Sequence, residues 1–309
     1  MRKILLAGPL PADCIQMLDA QFELFKLYEA DNRSAYLLEH GYKIEGLSGG
    51  KVSAELIAQL PNLEIIANYG VGYDNIDIDA ARARGVRVTN TPNRLNAAVA
   101  ELTVGLMVSL ARQIPQSHDY VRTGRWSTDG QWPLTGQLAG AKAGILGLGR
   151  IGKAIATRLT AFDMEVAYHG RTHQEDQPYH YFDSLLDMAS NVDWLVVIAP
   201  GGEGTNRIIS RKVLEALGSN GSFVNIARGN MVDQDALIDL LTNGGLRGAA
   251  LDVFDGEPEV PQALRELNNV ILSPHNGSAT RQTRAQMSSQ VVENLIAYFE
   301  NGELLDKVV

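Results

Sequence analysis

A short apolar run, Ala143 to Leu146, passes without a linker into Gly147-Leu148-Gly149-Arg150-Ile151-Gly152. From Ile151 to Leu159 apolar residues then recur at helical spacing. A buried strand that turns straight into a helix through glycines at G-x-G-x-x-G spacing belongs to a βαβ unit of a parallel sheet. Each glycine has its own reason to be there. Gly147 permits the tight turn, Gly149 lets the backbone approach a pyrophosphate, and Gly152 lets the helix pack close to the strand. The N–H groups of the first helical turn have no acceptor within the helix and face the phosphates. The spacing alone is a weak signal, because glycine-rich turns are common. With a strand before it and a helix after it, the segment reads as a dinucleotide site.

The next strand, Met164 to His169, decides which dinucleotide. A site for NAD places Asp or Glu at this strand's tip to hydrogen-bond the ribose 2′-OH. Here the tip is Gly170-Arg171-Thr172. No carboxylate stands there to repel a 2′-phosphate, and the planar guanidinium of Arg171 suits one. The preference expected is for NADP(H), with NAD(H) as the alternative.

The rest of the chain supports a globular enzyme rather than a nucleic-acid or membrane protein. With 309 residues it has room for two domains. A net charge of −9 argues against nucleic-acid partners. No apolar run approaches the roughly 20 residues of a membrane span. The single cysteine, Cys14, excludes an internal disulfide framework and fits a reducing, cytoplasmic location.

Short apolar runs alternate with helical patterns along the chain. Arg2–Ala7, Leu63–Ala67 and Val86–Thr89 read as strands, and Ala12–Ala20, Ser53–Leu60 and Ile78–Arg84 as helices. After the glycine unit come strands at Asp193–Ile198, Ser222–Ile226, Ala249–Phe254 and Val270–Leu272. The fold class is α/β, with two doubly wound parallel-sheet domains. A Rossmann-type cofactor domain spans residues 96–275, and a smaller flavodoxin-like substrate domain combines residues 1–95 with 276–309. The chain thus crosses between the domains twice. A long helix from Asn96 to Ala111 is apolar nearly all round and must be buried, against the cofactor domain or another subunit. The connector that follows carries Trp126 and Trp132. Together they suggest a homodimer.

In open α/β sheets ligands bind beyond the carboxyl ends of the strands. Arg228, Glu257 and His275 each fall just past such an end, on three different strands. Singly each has an ordinary explanation: an ion pair, a solvated acid, a packed histidine. Their joint occurrence at one edge points to catalysis.

These residues carry a family resemblance. The runs Gly147–Gly152, Asn225-Ile-Ala-Arg-Gly229, Leu251-Asp-Val-Phe-Asp-Gly-Glu-Pro258 and Ser273-Pro-His-Asn-Gly-Ser-Ala-Thr280, in that order, resemble the D-isomer-specific 2-hydroxyacid dehydrogenases. Asn68-Tyr-Gly-Val-Gly-Tyr-Asp-Asn-Ile-Asp77 and Thr89-Asn-Thr-Pro92 match the family's first-domain loops, so the resemblance covers nearly the whole chain. Tyr168-His-Gly-Arg-Thr172 is most similar to the NADP-dependent glyoxylate/hydroxypyruvate reductase branch.

The resemblance implies reduction of a small 2-oxo acid to the D-2-hydroxy acid, without a metal ion. In that scheme Arg228 clamps the substrate carboxylate and polarises the keto oxygen. His275 protonates that oxygen, and Glu257 hydrogen-bonds the far ring nitrogen and favours the imidazolium. Val71 and Gly72 offer backbone N–H groups to the carboxylate. Pro200, Thr205, Ala227, Arg228, Asp252 and His275 line the cofactor beside the glycine loop, Arg171 and Thr172, with Asp252 near the nicotinamide amide. Ser48-Gly-Gly-Lys51, in a loop expected to face the substrate, contributes small residues and a cation but no aromatic wall, which leaves the side-chain preference open. Two other functions share this fold: an NAD-dependent dehydrogenase of the phosphoglycerate type, and a nucleotide-sensing corepressor. The Gly170-Arg171 tip argues against the first, and turnover separates the second.

The tip carries its own test. Arg171→Ala is expected to raise the KM for NADPH roughly ten- to a hundredfold, the value of one charge-assisted hydrogen bond, and to spare NADH. Steady-state kinetics with both cofactors measure this, and equal losses would remove the NADP assignment.

Overall fold

The computed structural model describes residues 1–309, which divide into two compact units, Met1–Leu95 with Ser278–Val309 and Asn96–Gly277. The second crossing falls two residues beyond 275 for a local reason. Asn276 and Gly277 donate their N–H groups to the Asp252 carboxylate, which ties them to the larger unit.

In the first unit, strands β1 (Lys3–Leu6), β2 (Glu23–Lys26), β3 (Gly46–Ser48), β4 (Ile65–Ala67) and β5 (Arg87–Thr89) form a wholly parallel sheet. Their order is β2-β1-β3-β4-β5, the flavodoxin-like winding. Both faces are covered, which is why β1 reads as an unbroken apolar run rather than an alternation. Leu5, Leu47, Ile66 and Val88 pack on one side with Leu37, Leu56, Ile57 and Ala81. Ile4, Leu6 and Ile65 pack on the other with Cys14, Leu18, Val291, Val292 and Leu295.

Side-chain caps start four of this unit's helices. Asn32, Ser53, Asp77 and Thr280 accept from the backbone N–H three residues on, and each such cap contributes about 1 kcal/mol. At the sheet's edge the last residues pair with β5: Val308 N–H donates to Val88 O at 2.8 Å, and Val88 N–H donates to Val309 O at 3.0 Å.

The second unit is a seven-stranded parallel sheet. Its strands are β6 (Lys142–Leu146), β7 (Glu165–His169), β8 (His180–Phe182), β9 (Trp194–Val197), β10 (Ser222–Asn225), β11 (Gly248–Leu251) and β12 (Val270–Leu272). The order β12-β11-β10-β9-β6-β7-β8 reverses direction between β6 and β9, the topological switch point of a Rossmann-type sheet. The long helix Asn96–Arg112 buries Ala98, Val99, Ala100, Thr103, Leu106 and Met107, while Ala97, Glu101 and Gly105 are exposed. It is therefore one-sided within the chain, although its composition is apolar all round. No single helix is long and apolar enough to cross a membrane.

Several elements lacked a legible signal. Strands β2 and β8 are short edge strands, β3 is a central strand of only three residues, and helices Arg33–His40, Ile114–Arg122 and Leu185–Ser190 are brief. The Trp-bearing connector itself contains a helical turn, Arg125–Asp129.

Cys14 gives the first unit a chemical probe. It is fully buried, and burial pushes its thiol from an ordinary 9.0 up to about 12. Because the folded value is the higher, the neutral thiol's contribution to stability is complete below pH 9.0 and is lost as pH rises toward 12. At pH 8.5 native protein should resist a thiol reagent that labels the denatured chain, and rapid native labelling would contradict this packing.

Candidate active site

The glycine loop follows β6, and the space around each glycine shows what it is for. At Gly147, φ is +100°, and an added Cβ would stand 2.8 Å from the Ala199 Cα beyond β9. At Gly152 an added Cβ would stand 2.1 Å from the Gly147 carbonyl oxygen, so only glycine lets the helix Arg150–Ala161 begin there. Gly149 differs: nothing lies within 4 Å of an added Cβ, so its bareness serves no contact within the chain. It caps the helix N-terminus and leaves that approach open, as a pyrophosphate requires. Leu148 is buried, Ile151 half-buried and Arg150 exposed. The residues fit the dinucleotide.

The tip of β7 is hooked back onto this loop. Gln174 donates through Nε2 to the Leu148 carbonyl at 2.9 Å, and its own N–H donates to the Tyr168 hydroxyl at 2.7 Å. Tyr181 donates to the Gly170 carbonyl at 3.3 Å. Between these anchors Arg171 and Thr172 are exposed, with no ion pair or hydrogen bond inside the chain. Beyond β9, Thr205 shapes the next loop by donating to the carbonyls of Pro200 at 3.0 Å and Gly202 at 3.1 Å.

The ionisable residues lie past the neighbouring strands. After β10, Asn225 folds the chain on itself: its Oδ1 accepts from Ala227 N–H at 3.1 Å and its Nδ2 donates to Arg228 O at 2.9 Å. Ala227 is buried, and Arg228, half-buried, donates through Nη1 to the Ala227 carbonyl at 2.7 Å. After β11, Glu257 uses both oxygens. Oε1 accepts the Phe254 N–H at 2.8 Å, and Oε2 meets His275 Nδ1 at 2.7 Å. The His275 side chain is 52% exposed and that of Glu257 31%, so the pair is reachable from solvent.

Asp252 sits behind them at 1% exposure, holding Asn276 N–H at 2.7 Å and Gly277 N–H at 2.9 Å. His275 itself has φ +53°, a conformation that a non-glycine residue needs support to hold. Its N–H donates to the Asp252 carbonyl at 2.8 Å. One aspartate therefore secures the turn through its carbonyl and both carboxylate oxygens. Sequence reasoning placed Asp252 near the cofactor and missed this task, although its position beside the strand end was a usable signal.

In the other unit, Val71 and Gly72 lie in the loop after β4. Asn68 donates to the Gly70 carbonyl at 3.1 Å and the Gly72 carbonyl at 2.7 Å, and Asn90 donates to the Val71 carbonyl at 2.9 Å. The carbonyls are occupied, while the N–H groups of Val71 and Gly72 have no acceptor within the chain. Such amides suit an anion. Ser48, expected to face substrate, is instead buried and donates to the Ala67 carbonyl at 2.7 Å.

Comparison with known proteins shows which family the chain resembles. Residues 104–277 match the NAD binding domain of the D-isomer specific 2-hydroxyacid dehydrogenases. The chain is 42% identical over 309 residues to glyoxylate/hydroxypyruvate reductase A of Arabidopsis thaliana, covering 99% of this chain and 98% of the relative. It is 42% identical over 261 residues to 2-ketogluconate reductase of Gluconobacter oxydans, covering 84% of each. The crystal structure of an NADPH-dependent glyoxylate/hydroxypyruvate reductase from Sinorhizobium meliloti, in complex with NADP and malonate, matches with a TM-score of 0.94 at 41% identity. That match covers 100% of this chain and 97% of the other. Fold and relatives together define an oxidoreductase that uses a nicotinamide dinucleotide. The chain belongs to the D-isomer-specific 2-hydroxyacid dehydrogenase family.

One contact binds the strand-end loops together. A Cβ on Gly229 would lie 1.9 Å from the Phe254 carbonyl carbon, so the loops after β10 and β11 touch backbone to backbone. Gly229→Ala must push them apart. It should cost roughly 1–3 kcal/mol of stability and lower turnover in the protein that still folds, as read by urea melts and kinetics. A fully active, fully stable alanine variant would show that the loops are not clamped there.

Proposed function

We propose that the protein reduces a small 2-oxo acid of the glyoxylate or hydroxypyruvate kind to its D-2-hydroxy acid at the expense of NADPH. The observation that carries the reading is the Glu257–His275 pair at 2.7 Å, at the same strand-end edge as Arg228 in a dinucleotide-binding fold. With Nδ1 committed to Glu257, Nε2 is the ring nitrogen left to give a proton to the keto oxygen. Arg228 supplies a fixed cation for the substrate carboxylate and the developing charge on oxygen. Val71 and Gly72, in the smaller unit, carry N–H groups suited to a carboxylate.

Arg171 and Thr172 hold the 2′-phosphate, and Gly147, Leu148, Gly149, Arg150, Ile151 and Gly152 hold the pyrophosphate. Pro200, Thr205, Ala227 and Asp252 complete the cofactor's surroundings. Bound NADPH supplies the hydride.

The reading includes a homodimer and a cytoplasmic location. Support for the dimer comes from exposed apolar side chains along the segment after the long helix: Ile114 is 44%, Val121 55%, Trp126 60% and Leu134 102% exposed. Surface of this kind is more economically covered by a second subunit than by water. The single free cysteine supports the location.

Turnover of glyoxylate or hydroxypyruvate with NADPH is the deciding assay. His275→Ala is expected to cost roughly 10²–10⁴ in kcat with NADPH binding largely intact. Arg228→Ala should damage kcat and KM together. Wild-type protein that binds NADPH without turning over any 2-oxo acid would sink the enzyme reading in favour of a nucleotide sensor.

A further inference from the structure

Arg228 and Glu257 reach the site from different strands, and catalysis needs such groups held to within about half an ångström. The segment carrying Glu257 has little burial to hold it. Asp255, Gly256, Glu257, Pro258 and Glu259 are all exposed, and nothing lies within 4 Å of an added Cβ on Gly256. Its geometry therefore rests on the Gly229 contact at Phe254–Asp255 and on a few hydrogen bonds. One comes from within, where Glu257 Oε1 holds the Phe254 N–H at 2.8 Å. The next amide along, Asp255 N–H, is held from outside by Gln234 Oε1 at 3.1 Å.

Gln234 opens the helix Gln234–Asn243, but it is not that helix's cap. Asp233 fills this role, accepting from Ala236 N–H at 3.2 Å. The Gln234 carboxamide oxygen is thus directed to a different loop, five residues after the glycine whose backbone touches Phe254.

We propose that Gln234 is a positioning residue for the Glu257–His275 pair. By fixing the Asp255 N–H it sets the path of the loop, hence the direction of the Glu257 carboxylate and of the imidazole bound to it. It touches neither substrate nor cofactor. The inference rests on His275 being the proton donor, as argued above.

Three variants separate positioning from bulk structure. Gln234→Met keeps the length of the side chain and removes the acceptor, Gln234→Ala removes both, and Gln234→Glu keeps an acceptor oxygen. The first two should lower kcat roughly three- to tenfold, the value of one hydrogen bond. They should leave the KM for NADPH and the Tm near wild type. The solvent deuterium isotope effect on kcat should rise in both, because a misdirected imidazole slows proton transfer. Gln234→Glu should restore wild-type kcat and isotope effect.

The proposal is overturned if Gln234→Met shows wild-type kcat and isotope effect, or if Gln234→Glu fails as badly as Gln234→Met. A loss of activity that tracks Tm or the KM for NADPH overturns it too. His275→Ala run alongside tells the two failures apart. An inactive His275→Ala with a neutral Gln234→Met removes only the role of Gln234, whereas a fully active His275→Ala removes the parent reading as well.

Discussion

A buried carboxylate with backbone amides for partners is the constraint on which the site depends. Asp252 is 1% exposed, and it accepts from Asn276 and Gly277 while its carbonyl accepts from His275. A polar group that deep is tolerable only when hydrogen bonds replace the water it has lost. The turn at His275–Gly277 supplies those bonds, and in return it is held in a conformation that its own sequence would not choose. Burial cost at one residue and backbone strain at another are settled by the same contacts. The imidazole is aimed by that turn, and Glu257 then fixes which ring nitrogen faces outward.

The same logic of shared contacts runs through the larger unit. Gly147 brings the β6 loop against Ala199 beyond β9, Gly229 brings the β10 loop against Phe254, and Gln174 draws the tip of β7 onto Leu148. Each strand end is braced by a neighbour rather than by a core of its own. Parallel sheets make this possible, since all their carboxyl ends lie at one edge. Loops braced in this way can stay exposed for chemistry while keeping a defined shape.

Residues whose reason is local were legible in the sequence. Gly147, Gly149 and Gly152 could be placed because a strand–turn–helix dictates their spacing, and Arg171 could be placed at the strand tip because that tip is a fixed offset away. Arg228, Glu257 and His275 could be placed at strand ends because strands can be counted. What stayed hidden depends on partners far along the chain. Gln234 reaches Asp255, Asp252 reaches Gly277, and Val88 pairs with Val309. No periodicity encodes such pairs. The short edge strands β2 and β8 were missed for another reason: a few residues at a sheet margin carry too little pattern to stand out. Ser48 was misplaced because a small polar residue at a strand end looks available, whereas its hydroxyl is taken by the Ala67 carbonyl.

The discontinuity of the smaller unit has a consequence for how the chain comes to be folded. Ile4, Leu6, Cys14 and Leu18 find half of their apolar partners, Val291, Val292 and Leu295, on the helix Arg281–Asn301. Between them lies the whole of the larger unit, Asn96–Gly277. During synthesis at roughly 5–20 residues per second, the first sheet must wait about 10–40 seconds with one face only partly covered. The larger unit, whose residues are contiguous, can complete its own core during that interval. Ribosomal order and structural order are thus inverted, and residues made before the larger unit belong to a unit that closes after it.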